Sequence, residues 1–248
     1  MSAVTNIKTV AKRELGAYFS SPLAYVFIVI FLLLCGGFTF ARQLGAFFER
    51  GEASLIRPFF TWHPWFYLFL VPAVGMRLWA EERRVGTIEL LLTMPITAGQ
   101  AIIGKFLASW IFLGVTLALT FPIAITVNYL GDPDNGVMFT AYLGSWLMAG
   151  AYLAISCLTS ALTRTQVVSF IIAVMVCLFL ILCGFGPVIE FLEGSPSLVN
   201  SVASLSFITH YEGLQKGVLD SRDIIYFLSV IGFSLFTTGV ILRGHRAG

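Results

Sequence analysis

The residue types that could do chemistry in this 248-residue sequence are few and scattered. His63, His210 and His245 lie in separate segments with no H-E-x-x-H pattern, and no zinc ligand set is readable around them. Cys35, Cys157, Cys177 and Cys183 all sit inside apolar runs, without the C-x-x-C spacing of a metal or redox site. Thiols in such surroundings are expected to pack as small hydrophobes. Serines are abundant, but no G-x-S-x-G elbow accompanies them. The run Gly99-Gln100-Ala101-Ile102-Ile103-Gly104-Lys105 matches G-x-x-x-x-G-K, yet Phe106 stands where a hydroxyl would hold magnesium, and no buried strand precedes it. Lys105 is expected instead to cap the entrance of an apolar helix. These residues predict no catalytic, cofactor or metal site in the chain.

A different chemistry, that of partner recognition, is concentrated in one segment. Residues 81–96 read Glu81-Glu82-Arg83-Arg84-Val85-Gly86-Thr87-Ile88-Glu89-Leu90-Leu91-Leu92-Thr93-Met94-Pro95-Ile96. Thr87 can cap a helix start, Glu89 suits the positive end of its dipole, and Pro95 stops it. The result is a helix of about two turns with Ile88, Leu91 and Leu92 on its apolar face. Such a helix can seat in a soluble partner, or it can be an interfacial loop anchored by arginines, and the residues alone leave both open.

The elements that position this segment follow from composition. Hydrophobic residues make up 58%, charged residues 11%, and mean hydropathy is +0.89. A soluble domain is about one-quarter charged, so this chain could not cover itself in water. Disorder requires the opposite balance. A net charge of +2 with thinly spread basic residues argues against nucleic acid as a partner. Apolar runs at about 23–40, 65–80, 106–130, 139–162, 167–189 and 224–242 predict six spans. Their continuity excludes the alternating strands of a membrane barrel. Pro72 and Pro122 are expected to kink the second and third spans. Gly144, Ala149, Gly150, Ala154 and Ser160 give the fourth a small-residue surface for another helix.

Lysine and arginine placement orients the chain. With the N-terminus inside, ten of the 15 basic residues fall on the inner side and five on the outer, and both termini are cytoplasmic. Lys8, Lys12 and Arg13 before the first run superficially fit a signal peptide, and Leu32-Leu33-Leu34-Cys35 a lipoprotein box. Leu34 is too large before such a cysteine, and the run is long enough to span, so it is read as an uncleaved helix. Before it, Val4, Ile7, Ala11, Leu15 and Tyr18 recur at helical spacing and predict an amphipathic interfacial helix over 1–20. The outer segment 190–223 is apolar and broken by Gly194, Pro196 and Gly213, which fits short helices dipping back into the membrane or one resting on it. Aromatics Phe47, Phe48, Phe59, Phe60 and Trp62 before the second span read as an interface belt. The spans hold almost no ionisable residues, which argues against an ion-coupled pump or an intramembrane enzyme.

The segment 81–96 resembles the first inner loop of ABC-2 type ABC transporter permeases, where a Glu-x3-Gly-Thr-x-Glu-leucine-rich-Pro run follows the second span. Glu82, Gly86, Thr87, Glu89, Leu90 and Pro95 carry the match, and Gly104-Lys105 at the start of the third span resembles the family too. Among its members the chain is most similar to the short permeases of the gliding-motility and nitrous-oxide-reductase-maturation type. The resemblance covers essentially the full chain as one transmembrane domain, 1–248. It implies an all-α, six-span polytopic protein with re-entrant outer helices before the sixth span. It also implies a second permease, either the same or a related chain, and a dimer of cytoplasmic ABC ATPases that carries Mg-ATP. The first inner loop would be the coupling helix seated in an ATPase groove, with Arg164 as a second, smaller contact; as a plain positive-inside anchor Arg164 is explained nearly as well. An auxiliary membrane or periplasmic subunit is a further implied partner. The expected function is an exporter permease in a bacterial-type inner membrane, in contact with lipid. The alternative is an ATPase-linked scaffold or mechanotransmission component that moves no solute. The apolar spans favour a lipid-like or amphipathic cargo over a bare ion.

Overall fold

The computed structural model describes residues 3–41, 47–50, 54–86, 96–191 and 196–244. Every regular element among them is helical. In chain order these are α1 (Ala3–Ser20), α2 (Pro22–Phe40), α3 (Phe47–Arg50), a single 3-10 turn (Phe60–Trp62), α4 (His63–Gly75), α5 (Arg77–Val85), α6 (Ala98–Ala118), α7 (Phe121–Leu130), α8 (Asn135–Leu162), α9 (Gln166–Leu182), α10 (Gly186–Phe191), α11 (Pro196–Ala203), α12 (Phe207–Gln215) and α13 (Ser221–Gly244). Among the described residues, four stretches are long and apolar enough to cross a bilayer: α2, the α6–α7 pair, α8 and α13. The expected second and fifth spans are shorter apolar helices, α4 with 13 residues and α9 with 17. The protein is an all-α, multi-pass membrane protein.

α8 is the axis. Its residues are buried on all sides, and α4, α5, α6, α9, α12 and α13 all pack against it. Small residues make that possible, because in a bilayer helices associate through close packing and hydrogen bonds rather than through the hydrophobic effect. A β-carbon on Gly144 would stand 2.7 Å from that of Leu214 on α12. A β-carbon on Gly150 would stand 2.7 Å from the Trp110 indole nitrogen of α6, and one on Gly114 would stand 2.8 Å from the Trp146 indole nitrogen of α8. The two tryptophans stack with centroids 4.3 Å apart. Trp110 Nε1 donates to the Trp146 carbonyl at 2.9 Å, and Trp146 Nε1 donates to the Trp110 carbonyl at 3.2 Å. Each helix thus carries Trp-x3-Gly, and each indole lies over the other helix's glycine. Gly114→Ala and Gly150→Ala are each expected to cost about 1–3 kcal/mol by overpacking. Together they should cost less than the sum, because both disrupt the same stacked pair. Thermal midpoints of the single and double variants in detergent check this.

Several breaks differ from the expected boundaries. The second apolar run is split at Met76 into α4 and α5, and the helix then continues through Glu81–Val85 rather than giving way to loop. α6 begins at Ala98, where Thr97 and Gln100 form a reciprocal capping box. It stops at Leu119–Thr120, so Pro122 opens α7 instead of kinking a continuous helix. α9 ends at Leu182 because the chain must pass under α12: a β-carbon on Gly184 would meet Ser206 Oγ at 2.1 Å. α12 is capped by the Ser206 hydroxyl and turns Phe207, Tyr211 and Leu214 into the bundle.

α1 packs on protein rather than lying free. Its inward face is Asn6, Ile7, Val10, Ala11, Glu14, Leu15 and Tyr18, whereas Val4, expected on the apolar stripe, is exposed. Gly104 lets α6 approach it closely, since a β-carbon there would lie 2.7 Å from Val10. Tyr18 bonds the Ser109 hydroxyl at 2.9 Å and stacks on Phe112, while Asn6 Nδ2 donates to Gln100 Oε1.

Candidate functional site: the end of the second apolar run

α5 carries Glu81–Val85 of the segment resembling a coupling loop, and of the rest only Gly86 and Ile96 are described. Its register is set by its ends. At the start, Gly75 brings α4 so close to α8 that a β-carbon would lie 2.3 Å from Ser156 Cβ. The break at Met76 is then bridged from α8: Ser160 Oγ accepts from Trp79 N at 3.0 Å and Ala80 N at 2.9 Å, and donates to the Met76 carbonyl at 2.8 Å. One hydroxyl on a neighbouring helix therefore satisfies groups that a helix start leaves open. At the end, Gly86 adopts φ 75°, and its N–H closes on the Glu82 carbonyl. This left-handed cap is the backbone reason for glycine there.

Glu82 points from α5 toward α6. Lys105 Nζ lies 3.0 Å from Glu82 Oε1 and 3.4 Å from Glu14 Oε1 of α1. The lysine is only 4% exposed and sits 5.6 Å from the centroid of the Trp79 ring. Two carboxylates and an aromatic face thus hold a buried ammonium, and three helices meet on one cation. Trp79 is itself fixed, its indole N–H donating to Cys157 Sγ at 3.2 Å. Arg13 pairs with the same Glu14 oxygen at 2.8 Å. The Gly99–Lys105 run lies inside helix α6, with its lysine committed to these carboxylates.

Arg164 occupies the short turn between α8 and α9 and is exposed. It lies close enough to Arg83 that burial first, and the Arg164 guanidinium second, lower the Arg83 pKa from its ordinary range. The structure therefore gathers Glu82, Gly86, Lys105 and Arg164 at one end of the bundle. Thr87, Glu89, Leu90 and Pro95 lie outside the described residues.

Three participants escaped the sequence reading. Glu14 had a legible signal, since it shares a helical face with Val10 and Tyr18 in an otherwise basic helix. Trp79 had none, and Ser160 was read only as part of a small-residue surface, because their contact joins residues 81 positions apart. The same holds for His63. It is fully buried at the start of α4, with Nδ1 2.8 Å from Ser145 Oγ and Nε2 3.9 Å from Cys35 Sγ. Among the described residues, no cluster of three or more His, Cys, Asp or Glu side chains is arranged to hold a metal ion.

The network ties together α5 and α6, the helices on either side of residues 87–95, and joins both to α1. Comparison with curated proteins yields no match. The family model described as ABC-2 family transporter protein matches residues 66–242, from within α4 almost to the end of α13. The chain belongs to the ABC-2 transporter family, as the membrane-spanning permease subunit of an ABC system.

Proposed function

We propose that the chain is one half of a dimeric export permease in a bacterial-type cytoplasmic membrane, with both termini inside, driven by two cytoplasmic ABC ATPases that carry Mg-ATP. The observation that supports this best is the three-helix junction on Lys105. An ATPase pushing on residues 87–95 would act first on α5. Glu82 would hand that displacement to α6 and α1 through Lys105, while Ser160 would hand it to α8. Thr87, Glu89, Leu90 and Pro95 would form the coupling helix itself, with Arg164 beside Arg83 as a second contact for an acidic surface of the ATPase. The outward faces of α2, α9 and α13 are apolar along their length, suited to lipid and to the second permease. α12, packed inward against α8, would close the path on the outer side.

The test is a tagged pull-down from native membranes in mild detergent with an ATPase assay. Glu89→Lys, a charge reversal at the contact, is expected to reduce co-purified ATPase roughly tenfold. An intact complex unaffected by this change, or no ATPase under conditions that preserve comparable complexes, refutes the coupling assignment.

A further inference from the structure

α12 is tied to its neighbours by polar contacts as well as by its apolar face, and these converge on one side chain, His210. Its Nδ1 lies 2.7 Å from Asp223 Oδ1 in the first turn of α13, and its Nε2 lies 3.0 Å from the Ser204 carbonyl in the turn between α11 and α12. Asp223 is itself close-packed on α12, since a β-carbon on Gly213 would stand 2.7 Å from its Oδ2. Tyr226, on the next turn of α13, stacks on the imidazole with centroids 3.9 Å apart, and its hydroxyl donates to the Leu205 carbonyl. One ring therefore joins the α11–α12 turn to the start of α13. Its side chain is 17% exposed, so protons exchange between it and water.

The chemistry of those neighbours selects one state of the ring. A carboxylate and a carbonyl are both acceptors, and a neutral imidazole has a single N–H. Only the imidazolium donates to both, and the aromatic face of Tyr226 also favours a cation. The other ionisable groups on the elements around it lie apart from these contacts. On α12 itself Glu212 pairs with Lys216, and α11 holds no titratable residue. Asp220 accepts from the backbone N–H of Arg222, and both of these side chains are exposed. Cys183, after α9, lies beside Tyr226, and Tyr152 of α8 meets Phe207 on the inward side of α12. When the ring gives up its proton, the carboxylate keeps the remaining N–H, because a charged acceptor binds it more strongly than a neutral one. The bare Nε2 is then left facing the Ser204 carbonyl, acceptor against acceptor.

We propose that His210 is a proton-operated latch on α12. Protonated, it ties the α11–α12 turn to α13 and holds α12 in the bundle; deprotonated, it releases that turn and α12 loosens. The proposed function adds only the side of the membrane on which this happens: there, acidity outside the cell would set how firmly α12 closes the outer end.

Hydrogen–deuterium exchange of the full chain in nanodiscs tests the latch, comparing wild type with His210→Gln at about pH 5.5 and about pH 8, on either side of the range in which histidine ordinarily titrates. Comparison at matched pH cancels the intrinsic pH dependence of exchange. At the lower pH, residues 201–210 should exchange about tenfold more slowly in wild type than in His210→Gln, the size of one charge-assisted hydrogen bond. At the higher pH the two should agree within about twofold. Asp223→Asn leaves Nδ1 a neutral acceptor, so its loss of protection should begin at lower pH than in wild type. Tyr226→Phe should loosen the Leu205 turn at both pH values while keeping the pH dependence. Should His210→Gln not fold, Asp223→Asn carries the same comparison. A protection difference of equal size at both pH values overturns the latch and leaves His210 a purely structural contact. An unshifted pH dependence in Asp223→Asn overturns it as well. Nanodiscs present one pH to both faces, so failure of the latch leaves the proposed orientation and coupling untouched, and an error in those leaves this result unchanged.

Discussion

Lys105→Met should leave the chain in the membrane but cut permease-dependent stimulation of its ATPase by about tenfold or more. The reason is the asymmetry of breaking a buried ion pair. In the wild type the ammonium, 5% exposed at its side chain, is shared by Glu82 and Glu14, each about a fifth exposed at 21% and 20%. Methionine fills the stem's volume but leaves two carboxylates facing one another, and breaking such a pair costs roughly 3 kcal/mol, at the lower end for partly exposed partners. The repulsion falls between α5 and α1, so it should separate the two helices that the proposed relay requires to move together. Glu82→Gln should be milder, because Glu14 still holds the lysine. A double-mutant cycle between Glu82 and Lys105 should give a coupling energy of about 1–3 kcal/mol in stability. If Lys105→Met loses stability yet keeps its stimulation within twofold of wild type, the junction is structural and the relay runs elsewhere.

The joint between α4 and α5 carries the second large expectation. Gly75→Ala would place a β-carbon 2.3 Å from Ser156 Cβ, where neither atom is the movable end of a side chain. The helices must separate, and the cost should reach about 3 kcal/mol or more. Adding Ser156→Gly should recover most of it, because the obstructing carbon is then gone. Ser160→Ala acts on the same joint by another route. It strands two buried N–H groups, of Trp79 and Ala80, and a carbonyl, of Met76, for a loss of roughly 2–5 kcal/mol. Thermal unfolding in nanodiscs measures all three. Failure of Ser156→Gly to rescue Gly75→Ala would mean that the glycine is needed for hinge freedom at Met76 and not for space.

The two expectations share a physical theme. α5 is short and joins α4 through a single break at Met76, so its position depends also on contacts made sideways. Ser160 fixes its start and Lys105 its middle, and Gly86 lets the chain leave in a direction that an L-residue would resist.

What the sequence by itself determined is the material governed by composition and local rules. The membrane class followed from hydropathy that no soluble surface could accommodate. The first, fourth and sixth spans were placed to within a few residues, because each of those apolar runs forms one helix, α2, α8 or α13. The small-residue face of α8 was legible because packing stripes are written in neighbouring positions. The family resemblance rested on residues within a single loop, where spacing alone is diagnostic.

Only the tertiary structure decided where helices break and what their polar side chains meet. Pro122 opens the third span in the turn before it, at Leu119–Thr120, whereas the second run breaks after Pro72, at Met76, where Ser160 of α8 supplies backbone bonds. The amphipathic stripe of α1 pointed to an interfacial helix, and the structure adds what that stripe meets, which is α6 at Gly104, Lys105 and Ser109. Glu14, Trp79 and Ser160 acquired their roles through contacts between residues that lie 78 or more positions apart in the chain. No local pattern encodes such contacts, since they arise from the packing of whole helices around α8.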